Sequence, residues 1–219
     1  MSKKCPSCRL VNFASAGSCA RCEASLADVP AIDLPAKRSL LSYILKRAAV
    51  CAIVSLIAVF GFYFSLIASA ARLNYTQRKE VEKAIAVLEE KGFSDEVFLL
   101  NYVTAFRAED NWLNASVAKE NAYAATNFPL EIMTIYPDFF TYPVDDVERA
   151  AILLHEAKHL QGKDEKEAYE FVWNNRWKLG WTRDKYAGSP VWQNVRKQTR
   201  EMVPELFNCN TKEFGDCTE

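Results

Sequence analysis

Residues 148–160 read ERAAILLHEAKHL, and the reading of the C-terminal half of the chain turns on this stretch. Its apolar residues predict a helix, opened by Asp145 and Glu148 at the spacing of a capping box. Positions i and i+4 of a helix project from one face, so His155 and His159 can present imidazole nitrogens to one metal ion, with Glu156 beside that face. These are the only two histidines in the chain. Chance placement of two histidines four apart with a glutamate after the first is on the order of one in a thousand, so the pattern calls for a chemical explanation.

A catalytic zinc ion takes three protein ligands and leaves a fourth position open. The sequence that follows, from Leu160 to Glu170, contains Gly162, which can turn the chain back, and three glutamates. The segment resembles that of zincin metallopeptidases, which place the third ligand at the position of Glu165, and this makes Glu165 the first choice. Glu167 is the second, because as the third residue after an Asp164 cap it has a competing structural role, and Glu170 is the last. A further helix is expected from Asp164.

The pattern His155-Glu156-Ala157-Lys158-His159, with Gly162 and then Glu165, resembles the active-site helix and third ligand of small zincin metallopeptidases, over about residues 128–170. Glu165 also begins an E-x-x-A sequence similar to the second ligand helix of gluzincins. The resemblance implies a zinc cofactor held by His155, His159 and Glu165, and a peptide or protein substrate. It also implies Glu156 as the general base, taking a proton from zinc-bound water and delivering it to the leaving amine. A strand around Leu130–Tyr136, followed by a turn at Pro137-Asp138, is expected at the sheet edge, where it would line the cleft. Two residues depart from the zincin pattern: Lys158 is charged and Gln161 is polar. No third histidine is available to stabilise an oxyanion, leaving Arg183 and Tyr186 as candidates.

Toward the N-terminus, Val81, Ala84, Ile85 and Leu88 repeat at helical spacing and Gly92 ends that helix. A second helix is expected from Ser94, carrying Val97, Leu100, Tyr102 and Phe106. Before these, no charged residue occurs between Ala48 and Ala71, and about 20 helical residues suffice to cross a bilayer. The polar residues that precede the run argue for an uncleaved anchor rather than a signal peptide. Lysines and arginines balance on its two sides: Lys37, Arg38, Lys46 and Arg47 before, Arg72, Arg78, Lys79 and Lys83 after.

At the N-terminus, Cys5-Pro-Ser-Cys8 and Cys19-Ala-Arg-Cys22 form two CxxC knuckles ten residues apart. Four thiolates so spaced can close a tetrahedron around one zinc ion, which would supply the folding energy that so short a segment lacks. Together with Asn12 between the knuckles, the pattern resembles the zinc finger of the Ran-binding nucleoporin type, although the tryptophan usual before the first cysteine is missing. That resemblance implies a structural or protein-docking module, with a cytoplasmic protein as its partner. Cys51, inside the apolar run, reads as a small hydrophobe. Cys209 and Cys217 suit a disulfide in an oxidising compartment, which sets the N-terminus in the cytoplasm and residues 73–219 outside. The net charge of −1 shows no basic excess, so nucleic acid is not an expected partner. Asn74-Tyr75-Thr76 and Asn114-Ala115-Ser116 match the glycosylation sequon.

The expected organisation is a zinc ribbon (1–26), a linker and juxtamembrane segment (27–45), one transmembrane helix (46–72) and a zincin-like domain (73–219). The fold class is mainly α, of the α+β kind with a short edge strand. The leading expectation is a single-pass zinc metallopeptidase, and its rival is an inactive zincin-like membrane adaptor or sensor.

Overall fold

The structure, a computed structural model, describes residues 1–32, 40–113 and 122–207. They fall into two compact units, Met1–Ile57 and Ala58–Glu219, divided within one long helix. Cys209, Cys217 and the sequon at Asn114 lie outside the described residues.

In the first unit, strands β1 (Ser2–Lys4) and β2 (Val11–Phe13) pair antiparallel. Isolated bridges join Ser18 to Ser25 and Ser2 to Ile32. Leu26 is fully buried against Cys5 and Cys19, with Ala24 and Val29 packed beside them. Residues 27–32, expected to open the linker, pack on the ribbon through Val29 and bridge to Ser2 through Ile32. Pro30 does not prevent this, because the segment contributes a single bridge rather than a ladder.

Helix α1 (Leu40–Ser69) is long and apolar enough to cross a membrane, and almost none of it is buried within the protein. The second unit continues with α2 (Tyr75–Glu90), α3 (Ser94–Phe98) and a π-helical turn (Leu99–Val103). Three short strands follow: β3 (Ala105–Arg107), β4 (Ala124–Asn127) and β5 (Ile132–Ile135). The chain ends in helices α4 (Pro137–Thr141), α5 (Asp146–Leu160), α6 (Glu165–Leu179), α7 (Arg183–Tyr186) and α8 (Pro190–Met202), then a 3₁₀ turn (Pro204–Phe207).

Helix α5 packs against α2, α6 and β4. Its buried Ala150, Leu153, Leu154 and Ala157 share one core with Val81, Ala84, Ile85 and Leu88 of α2. Trp173, Trp181 and Trp192 close the far side, with ring centroids 4.9 to 6.3 Å apart. Asn74 is the N-cap of α2 in a full capping box with Gln77, a structural role for a residue whose visible signal was a sequon. Asp145 caps α5, but Glu148 does not complete the box. Its fully buried carboxylate instead accepts hydrogen bonds from Val144 N, Trp181 Nε1 and Ser189 Oγ.

Two expectations are corrected. Phe106 lies in a strand, because the helix from Ser94 loosens into the π turn and ends at Thr104, whose N–H bonds to Leu99 O. The strand near Ile132 is the middle strand, not the edge: the order is β3-β5-β4, with β3 parallel and β4 antiparallel to β5. All four of its residues are buried, as a strand flanked on both sides requires. The edge facing α5 is β4.

Candidate functional site

The ribbon builds its ligand set from two copies of one turn. Arg9 N bonds to Cys5 O and Cys5 N to Leu10 O, and Glu23 N to Cys19 O and Cys19 N to Ala24 O, each at 2.9 Å. Arg9 and Glu23 occupy matching left-handed conformations, φ 60° and 58°. Asn12 sits between the turns, accepting from Ala20 N at 3.0 Å and approaching Cys19 Sγ with its amide at 3.6 Å. The four ligand sulfurs lie within 4.8 Å of one another. N–H groups of Arg21 and Cys22 lower the Cys19 thiol to about 6. Ala24 N–H also lowers Cys22, but the Cys5 and Cys8 sulfurs outweigh it and push Cys22 up to about 12. Thiolates so crowded repel one another unless a cation stands among them. A four-cysteine metal site of the zinc-ribbon kind fits this arrangement.

The second group is assembled by α5 and the first residue of α6. One helical turn separates His155 from His159 and sets their Nε2 atoms 3.1 Å apart. Gly162, at φ 75°, reverses the chain in a conformation that favours glycine. Asp164 then caps α6, and Glu165 turns back onto both imidazoles: Oε2 lies 3.3 Å from His155 Nε2 and Oε1 3.5 Å from His159 Nε2. Atoms bound at about 2.0–2.2 Å to one tetrahedral ion stand about 3.3–3.6 Å apart. The two carboxylate contacts, made through different oxygens, fall in that range, the imidazole pair is slightly closer, and one ligand atom from each residue lies within 4.8 Å of the others, so the three residues are compatible with a second metal site. His159 Nδ1–H donates to Lys163 O at 2.9 Å, which directs Nε2 at the group, where it could coordinate an ion once it gives up its proton. Burial lowers the His159 pKa, but Glu165 and the Lys163 carbonyl outweigh it and raise it to about 9. Hydrogen bonds from His155 and then His159 hold the Glu165 carboxyl far below the usual range. Glu167 instead completes the α6 capping box and pairs with Lys163 at 2.7 Å.

Glu156 is buried, and its Oε2 accepts a hydrogen bond from Thr126 Oγ1 on β4 at 2.8 Å. Its side chain borders two cavities that also share Glu165. One, of about 420 Å³, is lined by His155, Tyr169, Ile152 and Val172; the other, of about 450 Å³, runs along β4 past His159, Thr126 and Phe128.

The two departures from the zincin pattern form one network away from these cavities. Lys158 Nζ pairs with Glu96 of α3, donates to Gln161 Oε1 at 3.0 Å and lies 3.4 Å from the Phe171 ring centroid. Neither Arg183 nor Tyr186 borders the site. Tyr186 is buried at the α5 N-cap, donating to Asp145 Oδ2 at 2.7 Å, and Arg183 lines a separate surface hollow with Arg196 and Arg200.

Residues that the sequence did not single out take their places. Tyr169 lies against the His155 ring at 4.3 Å between centroids and donates its hydroxyl hydrogen to Gln198. Burial, with the Glu165 and Glu156 charges, keeps that hydroxyl protonated by raising its pKa. The four-residue step from Glu165 to Tyr169 was a usable signal, because it puts both on one face of α6. Thr126, in an alanine-rich stretch, gave none.

No family model matches the sequence, no curated protein matches it, and no solved structure matches its fold.

Proposed function

We propose that the chain is a membrane-anchored zinc metallopeptidase of the zincin kind, in which His155, His159 and Glu165 hold the metal and Glu156 is the general base. The observation that carries this reading is the buried Glu156 carboxylate, fixed by Thr126 between the three-ligand group and the two cavities. Zinc, when bound, supplies a Lewis acid and water that ionises near pH 7. Glu156 takes a proton from the attacking water and hands it to the departing amine. Tyr169 stacks its ring on His155, and its hydroxyl would have to turn from Gln198 to donate to a developing oxyanion. The outer edge of β4, unpaired among the described residues, is where an extended peptide would add as a further strand. In the same reading α1 spans the bilayer, the cysteine ribbon faces the reducing cytoplasm, and residues 73–219 act on the other side.

The purified chain is expected to hold about two zinc ions, one of which disappears in Glu165→Ala. Glu156→Gln is expected to keep both ions while peptide hydrolysis falls by at least about 10²-fold. A zinc-loaded wild type that cleaves nothing in broad peptide libraries would replace the peptidase with the adaptor reading. Loss of neither ion in Glu165→Ala would overturn the site itself. Protection of the C-terminal domain from protease in sealed, right-side-out cells would reverse the proposed topology.

A further inference from the structure

Within the second unit, the last turns of α1 are gripped by the segment that follows β3. Leu66 and Ala70 are buried. Ala108 N bonds to Ala71 O at 2.8 Å, and Arg107 Nε donates to Ile67 O at 3.2 Å. Trp112 donates its indole N–H to Ser65 Oγ at 3.2 Å and its ring meets Phe62 edge-on at 5.9 Å, yet the side chain stays 54% exposed. Residues 62–71 are the end of the uncharged run. An exposed tryptophan tied to that level sits where membrane proteins place their aromatic belts, between hydrocarbon and water.

Beside this junction lies a cavity of about 330 Å³, separate from the histidine site, with Arg72, Arg78 and Arg107 on its wall and Leu73, Val81 and Phe106 among its apolar lining. Its one acidic lining residue, Glu82, is already paired with Arg78 at 3.3 Å and Lys79 at 3.1 Å. Among the described residues, no carboxylate pairs with Arg72 or Arg107. Arg107 is half-buried, with Nε and Nη1 committed to the Ile67 and Phe106 carbonyls, which aims the guanidinium rigidly. Burial and the neighbouring Arg72 charge both act against its protonated form. Two guanidinium groups with no counter-charge among the described residues, beside apolar side chains and at the end of a helix apolar enough to span a bilayer, match a phosphate diester attached to an acyl glycerol.

We propose that this cavity binds the phosphate of an anionic phospholipid in the leaflet against which the second unit rests, and so fixes the tilt of the domain on the membrane. The inference rests on α1 crossing the bilayer. The full chain would be reconstituted into nanodiscs of equal phosphatidylglycerol and phosphatidylcholine, and the lipids still bound after release would be counted by native mass spectrometry. Wild type is expected to retain phosphatidylglycerol in clear preference to phosphatidylcholine. Arg72→Gln is expected to reduce that preference about fivefold, and Arg72→Gln/Arg78→Gln further, the effect of about one interfacial arginine each. Both positions are exposed, so the variants should fold; Arg107 is left intact because it also holds α1. Retention in the ratio of the nanodisc, or a preference unchanged in the double variant, would overturn the site while leaving the anchor standing. Failure of the chain to enter nanodiscs at all would remove the anchor reading and this inference with it. Inorganic phosphate that displaces phosphatidylglycerol at millimolar concentration would identify a free-phosphate site and overturn the lipid assignment.

Discussion

The cysteine ribbon and the histidine–glutamate group meet the same requirement, several ligand atoms within bonding reach of one ion, by opposite means. In the ribbon the four sulfurs come from two repeated turns and are oriented by backbone N–H groups, and Cys5 and Cys19 form the small core with Leu26. In the second group three candidate ligands converge among the described residues, on a helical frame whose buried core does not include them, and the remaining side opens onto cavities. A site that is itself the core has no room for a substrate. A site attached to a finished core can leave one side open for chemistry.

The contrast predicts where metal removal matters. Chelation, or Cys19→Ser, is expected to unfold the ribbon, since structural zinc bound there would supply about 10–16 kcal/mol of folding energy. Loss of dispersed ribbon resonances in NMR spectra would show it. The second unit should keep its melting temperature almost unchanged on losing zinc, as calorimetry would report. Equal unfolding of both units would break the distinction.

The next largest effect concerns the frame rather than the ligands. Glu96→Gln leaves Lys158 buried without its counter-charge and is expected to cost about 3 kcal/mol in denaturant melts, with zinc content intact. Replacing both Glu96 and Lys158 by apolar residues should recover most of that loss. Burial raises the Glu96 pKa, but the Lys158 hydrogen bond and charge outweigh it and hold the carboxyl below its ordinary value. The stabilisation is therefore present above about pH 4.3 and lost as pH falls through the lowered folded value. The stability gap between wild type and Glu96→Gln should shrink accordingly in acid.

Smaller effects sharpen the account of the open site. Thr126→Val removes one hydrogen bond to the Glu156 carboxylate, worth about 1.5–3 kcal/mol, so hydrolysis should fall about 10- to 100-fold with both zinc ions retained. Asp164→Ala loosens the cap of the helix that begins with Glu165. Stability should drop by about 1 kcal/mol and zinc affinity at the histidine site should weaken measurably in competition titrations.

The ribbon's four cysteines and the helical stretches around Val81, His155 and Glu167 were legible because their information is local: ligand spacing, helical period and caps. What escaped depends on partners distant in sequence. Lys158 and Gln161 look like defects of a motif until Glu96, 62 and 65 positions away, is placed beside them. The pairing of β4 with β5 was invisible because Ala124–Asn127 has little strand propensity of its own and is held by its neighbours. The π turn at Leu99–Val103 likewise has no sequence mark that separates it from a longer helix.

Gly162 keeps the link between α5 and α6 so short that His155 and Glu165 stand ten positions apart, whereas Thr126 and Glu156 are separated by thirty. Closing the longer loop costs about 1 kcal/mol more in chain entropy, and β4 must also find its sheet first. The His155–Glu165 hairpin is thus the early, low-contact-order part of the domain, and the Thr126–Glu156 contact comes late. Under mild denaturation the order reverses, so on the proposed reading a partly opened chain would keep its ion and lose its proton transfer.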